Sequence, residues 1–123
     1  MLPPRNNDYS NGRDKGLRSQ VHRRFVRSRL CVAWHLGGCF GPVEAAHCRD
    51  IAPRGHGGSK PDDVWTVSMC RKHHQEAEKR ELDWSAETGI DVRAMCLEFA
   101  AASPDRAIRE KAKEYVKAGP EGA

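Results

Sequence analysis

The chain has 123 residues, 38% of them hydrophobic and 31% charged, with a formal net charge of +4. That length suits one small domain with tails, whose modest core is often reinforced by a bound metal. There is no run of about 18 apolar residues, and the opening Met1-Leu2-Pro3-Pro4-Arg5-Asn6-Asn7 lacks the apolar segment of a secretory signal; the expectation is a soluble cytoplasmic protein with no membrane partner.

Residues 1–16 are polar and rich in Gly, Pro, Asn, Asp and Arg, which predicts a disordered basic arm. Leu17, Val21, Phe25 and Val26 recur at helical spacing among arginines, so a short helix is expected within Leu17–Leu30, with His22 on its solvent side. Gly37, Gly38, Gly41 and Pro42 mark residues 31–42 as a turn-rich loop. Val43 to Ile51 reads as a short strand leading into a loop over Pro53–Pro61, and Val64 to Met69 as a second strand. Arg71 to about Leu82 has good helix formers and few apolar residues; it predicts one polar helix that presents side chains to a metal or ligand. Val92, Met95, Cys96, Phe99 and Ala100 then follow the pattern of an amphipathic helix. Ser103 and Pro104 offer an N-cap and first-turn proline to a last helix carrying Ile108, Ala112, Tyr115 and Val116, which Gly119 and Pro120 stop. Trp65, Trp84 and Cys96 are expected in the core, with Cys48 packed rather than ligating.

Five cysteines, an odd number, argue against a disulfide framework in a chain without an export signal. Zinc favours four thiolate and imidazole ligands in two close pairs. Cys70 and His73, three apart at a helix start, form one pair. Cys31 and Cys39 form the other if the glycine-rich loop folds back, with His35 a rival to Cys39. The competing reading is a set of buried thiols in a small core. His74 neighbours His73, so the two rings point about 100° apart on a helix. Glu78 lies four residues beyond His74 on the same face. Such a pair can hold a divalent cation, or be an ordinary hydrogen-bonded pair on a polar helix.

Charge is uneven: residues 1–80 carry 15 Lys/Arg against 8 Asp/Glu, and residues 81–123 carry 6 against 9. A basic front half suggests one face that meets a polyanion.

Read together, Glu44-Ala45-Ala46-His47, the loop with Gly57-Gly58-x-Lys60, and Asp62-Asp63-x-Trp65-x-Val67-x-Met69-Cys70-x-x-His73-His74 resemble the HNH endonucleases of the ββα-metal (His-Me finger) fold. The likeness is to small phage and prophage-associated members and covers about residues 21–91. It implies an α+β fold: a zinc-braced ββα-metal core over residues 17–91, with an N-terminal helix, two C-terminal helices over 92–118 and a flexible tail at 119–123. It implies His47 as general base and His74 as ligand of a catalytic Mg²⁺ or Mn²⁺. It also implies Cys31, Cys39, Cys70 and His73 as structural zinc ligands.

Two positions differ from the usual pattern. Ala46 stands where many members have a second metal ligand, so Glu78 or another carboxylate is expected to compensate. Trp65 stands where many have a bracing Asn, a task expected of Asp63. A DNA endonuclease or nickase follows, with phosphate contacts from Arg49, Arg54, Lys60, Arg71 and Lys72, and from Arg23, Arg24, Arg27 and Arg29. The rival expectation is a non-catalytic zinc module that binds DNA or a recombination protein.

Overall fold

The computed structural model describes residues 16–53 and 61–122, the last three of these by backbone only. The arm at 1–15 and the loop carrying Arg54 and Lys60 lie outside the described residues. The elements are α1 (Gln20–Arg27), β1 (Val43–His47), β2 (Thr66–Cys70), α2 (Arg71–Ala77), α3 (Glu81–Thr88), α4 (Val92–Ala101) and α5 (Arg106–Gly122). Among the described residues the fold is therefore α+β, with five α-helices and one two-stranded sheet. Among the described residues, no helix is long and apolar enough to cross a membrane.

The strands pair antiparallel, Val43 opposite Cys70 and His47 opposite Thr66. All five residues of β2 are buried. One edge of β2 is β1. On another side residues 30–32 run alongside, with Val32 N–H donating to the Ser68 carbonyl at 2.8 Å and the Ser68 hydroxyl donating to the Leu30 carbonyl at 2.5 Å. Such cover makes β2 apolar or hydrogen-bonded throughout rather than alternating. Val64, Trp65, Val67 and Met69 share one core with Trp84, Val92, Cys96, Ala100, Ile108 and Ala112. Residues from 17–91 and from 92–118 thus pack into a single interior. Cys48 and Cys96 are both buried within it, as expected.

Helix α1 is shorter than Leu17–Leu30 because both ends are fixed by serines. The Ser19 hydroxyl accepts from His22 N–H at 3.0 Å, and the Ser28 hydroxyl donates to the Phe25 carbonyl at 2.6 Å. The buried stripe also differs. His22 and Val26 face inward while Val21 is half exposed. His22, expected on the surface, is withdrawn because its Nδ1 meets the Ser103 hydroxyl at 2.8 Å in the α4–α5 turn.

The single helix expected over 71–82 is two helices. α2 ends at Ala77, and Lys79 takes a left-handed φ of 64°. The break is held by Glu81, whose carboxylate accepts from Asp50 N–H at 2.7 Å and Lys79 N–H at 3.0 Å. Asp50 replies by accepting from Leu82 N–H at 3.0 Å. These bonds tie the chain leaving β1 to the α2–α3 corner.

At α5 the capping carboxylate is Asp105, which accepts from Ala107 N–H at 2.9 Å, rather than Ser103. Ser103 is engaged by His22 and by Asp105 N–H. Helical geometry is interrupted at Gly119, where φ is 76°.

Burial pulls the His22 imidazole down from the usual 6.5 to about 4, against the upward pull of Asp63 and Asp105. The unfolded chain therefore takes up this proton first. The associated stability is complete above about pH 6.5 and is lost as pH falls towards 4. The full span corresponds to roughly 3 kcal/mol. Urea unfolding is expected to show His22→Gln removing about 2 kcal/mol of the stability difference between pH 7 and pH 4.5. An unchanged difference would contradict the burial argument.

Candidate metal centre and adjoining cleft

Cys31, Cys39, Cys70 and His73 converge. Their ligand atoms all lie within 4.8 Å of one another, and no second group of this kind occurs among the described residues. His73 Nδ1 is 3.5 Å from Cys31 Sγ, 3.7 Å from Cys39 Sγ and 3.2 Å from Cys70 Sγ. Bond lengths of about 2.3 Å to sulfur and about 2.0 Å to nitrogen put the sulfur–nitrogen edge of a tetrahedral zinc site at about 3.5 Å. The donor set therefore fits zinc in both chemistry and spacing. Cys39 rather than His35 belongs to it.

Local backbone explains the convergence. Cys70 is the last residue of β2 and the N-cap of α2, so its sulfur sits one turn from His73 and accepts from His73 N–H at 3.5 Å. Ala33 N–H donates to Cys31 Sγ at 3.4 Å in the same manner. The loop returns Cys39 to the cluster because Lys72 N–H donates to the Phe40 carbonyl at 3.1 Å and Arg71 N–H to the Pro42 carbonyl at 2.9 Å. Gly41 permits this approach, since a Cβ there would meet Arg71 Cβ at 2.8 Å. Partial desolvation, then the neighbouring Cys70 and Cys31 sulfurs, push the Cys39 thiol up to about 12. Against the upward pull of burial, backbone hydrogen bonds and the same sulfur contacts hold the Cys70 thiol below its usual range, and a cation among the three sulfurs would let all of them ionise.

A cleft of about 190 Å³ opens beside this cluster, lined by Ala45, His47, Arg49, His74, Glu78, Lys79 and Glu81. Its two histidines are each held by a carboxylate. His47 Nε2 lies 2.7 Å from Asp63 Oδ1, and His74 Nδ1 lies 2.7 Å from Glu44 Oε1. Burial alone would raise Asp63, but hydrogen bonds from His47 and Ser19 N–H, with the charges of His47 and Arg23, bring it down to about 2. The hydrogen bond from His74, opposed by partial burial and assisted by Arg71, holds Glu44 below the usual carboxylate range. Both partners are ionised near neutral pH. An ionised carboxylate can only accept, so on each ring the nitrogen bonded to it carries a proton; in the neutral form of the ring the other nitrogen, Nδ1 of His47 or Nε2 of His74, is the acceptor.

Ala46 faces the core and takes no part. Glu78, expected beside His74 on one helix face, stands at the helix end with extended backbone and lines the cleft. The carboxylate bonded to His74 is Glu44 from β1, which sequence spacing did not single out. Its only sequence signal was its place three residues before His47.

Of the expected phosphate contacts, Arg49 reaches the cleft. Arg71 Nε is 3.0 Å from Glu44 and Lys72 Nζ is 2.6 Å from Glu76. Arg23 is paired with Asp63. No family profile, curated protein or solved structure matches the chain.

One equivalent of zinc per chain is the expected result of metal analysis on purified protein. Cys70→Ser should lose most of that metal and, like chelation of the wild type, lower the thermal midpoint, because metal-binding energy in so small a domain is folding energy. Less than half an equivalent in the wild type would contradict the assignment.

Proposed function

We propose that the protein is a metal-dependent DNA endonuclease or nickase of the HNH, ββα-metal type. One observation carries this reading: two histidines from β1 and α2, each oriented by a carboxylate through opposite ring nitrogens, line one cleft beside the Cys/His cluster. A strand–strand–helix unit that places them so is what the resemblance of residues 21–91 leads one to expect.

In this reading His47 is the general base. Its Nε2–H is committed to Asp63, so Nδ1 is the atom that takes the proton from the attacking water. Asp63 fixes the ring and favours the imidazolium that forms. His74 and Glu78 are the groups that would hold a Mg²⁺ or Mn²⁺ ion, with Glu44 orienting His74 as carboxylates orient metal-binding imidazoles elsewhere. Such a cation supplies charge stabilisation at the scissile phosphate and the departing 3′ oxygen. Arg49, which lines the cleft, would contact the phosphates that flank it, a role this reading extends to Arg54 and Lys60 from the sequence alone.

The rival reading, a zinc-stabilised module that binds DNA or a recombination protein without cutting, draws on a specific observation. The described part of the cleft contains no preassembled set of three ligands. Mg²⁺ keeps several waters and often takes only one or two protein ligands, so this does not decide against catalysis.

Plasmid nicking separates the two. His47→Ala is expected to keep its fold and zinc but lose about 10²–10⁴-fold in rate, with no rescue by added Mg²⁺ or Mn²⁺. His74→Ala and Glu78→Gln should regain part of their rate at raised cation concentration. Glu44→Gln should raise the cation requirement by about 10–100-fold. Wild-type rates in both histidine variants, or no cleavage by the wild type with either cation, would leave the binding module.

A further inference from the structure

From Gly16 to Val43 the sequence contains five arginines and no Asp or Glu. The same stretch carries most of the exposed large apolar side chains of the described residues: Val21, Leu30, Trp34, Leu36 and Phe40. Trp34 is 60% exposed and Phe40 77%, on or beside a loop whose ends are held at the Cys/His cluster by Cys31 and Cys39. Arg24, Arg27 and Arg29 are exposed, and none has a carboxylate partner among the described residues. Lys72, at the loop edge with its Nζ 3.7 Å from where a Gly38 Cβ would sit, is already paired with Glu76, so among the described residues the unpaired cations of the patch are the three arginines.

Exposed apolar and aromatic side chains concentrated in one short stretch of chain mark an interaction surface. Its surroundings narrow the choice. Arg24, Arg27 and Arg29, in a stretch of chain without acids, attract a polyanion, and exposed aromatic rings in the same stretch as cations are the means by which proteins hold unpaired bases, since each base offers a π face whatever its identity. A duplex hides those faces within its own stack. We propose that the Cys31–Cys39 loop, with Trp34 and Phe40 as stacking platforms and Arg24, Arg27 and Arg29 as phosphate contacts, is a docking surface for single-stranded DNA. DNA is named because the inference rests on the proposed function; it requires nucleic-acid binding, not cleavage. The substrate would then be DNA with an unpaired stretch near the cut.

The tryptophans supply a direct readout. Trp65 and Trp84 are buried and Trp34 is exposed, so quenching of indole fluorescence by an added oligonucleotide reports Trp34. Titration of the zinc-loaded full-length protein with oligothymidylate in Mg²⁺-free buffer is expected to quench that fluorescence, and Trp34→Phe should abolish the quench while retaining binding by anisotropy. Trp34→Ala and Phe40→Ala should each weaken binding of oligothymidylate by about tenfold, with much smaller loss for a duplex of equal length. Both are surface changes; zinc content and far-UV circular dichroism check the fold.

Unchanged affinity in both alanine variants, equal losses for duplex and single strand, or tighter binding of oligouridylate would overturn the proposal; the first of these would leave the patch to a protein partner. The nicking assay fails or succeeds separately: single-strand binding that depends on Trp34 in a protein that cuts nothing would sink the nuclease reading and leave this one standing.

Discussion

Asp62 and Asp63 are adjacent carboxylates almost wholly removed from solvent, and a buried charge persists only where partners replace the water it has lost. Those partners come from three directions. Asp63 receives Ser19 N–H at 2.7 Å, the guanidinium groups of Arg18 and Arg23, and His47 Nε2. Asp62 receives the Tyr115 hydroxyl of α5 at 2.6 Å and Val64 N–H at 3.1 Å. One dipeptide therefore docks the first helix, fixes the last one and orients the cleft histidine. The ring of Tyr115 also meets Trp65 edge-on, centroids 4.9 Å apart, so the polar contact is backed by aromatic packing.

A second tie runs between helices. His22 of α1 reaches Ser103, and Ser19 at the start of α1 reaches Asp105 at the start of α5. Together with the Asp62–Asp63 pair, these contacts close a polar seam around an interior built mostly of medium-sized side chains. The Cys/His cluster works at the other end of the sheet, joining the loop after α1 to the β2–α2 corner. Specificity of packing thus rests on polar contacts at both ends and apolar burial between them, as expected where a core is too small to specify its own arrangement.

Features governed by local periodicity were readable from sequence. The stripe Val92, Cys96, Ala100 is the buried face of α4, and Trp65 and Trp84 are core residues. The Cys/His set was readable as well, because ligand chemistry restricts residue type and Cys70-x-x-His73 restricts spacing. Missed features share a different cause. The α2–α3 break depends on Glu81 reaching back to Asp50, and His22 is drawn inward by a serine 81 positions later. Glu44 finds His74 across 30 positions. A charged or polar residue shows no periodic signature of the partner it will meet, so its role appears only once the strands and helices are assembled. The residues of the cleft were legible as types, while the carboxylates that assign their protons were legible only in part.

The loop between Cys31 and Cys39 also bears on how such a domain can change. Its ends converge on the Cys/His cluster and are tied by backbone bonds to Ser68 and Lys72, while Trp34, His35 and Leu36 are exposed. Residues 34–38 can therefore be exchanged or lengthened with little effect on the core, since the entropy of a longer closed loop rises only slowly with its length. Selection acting on that segment would alter what the protein meets without disturbing His47, His74 or the carboxylates that hold them. The segment is a natural graft site, where diversification and directed randomisation can proceed on an unaltered scaffold.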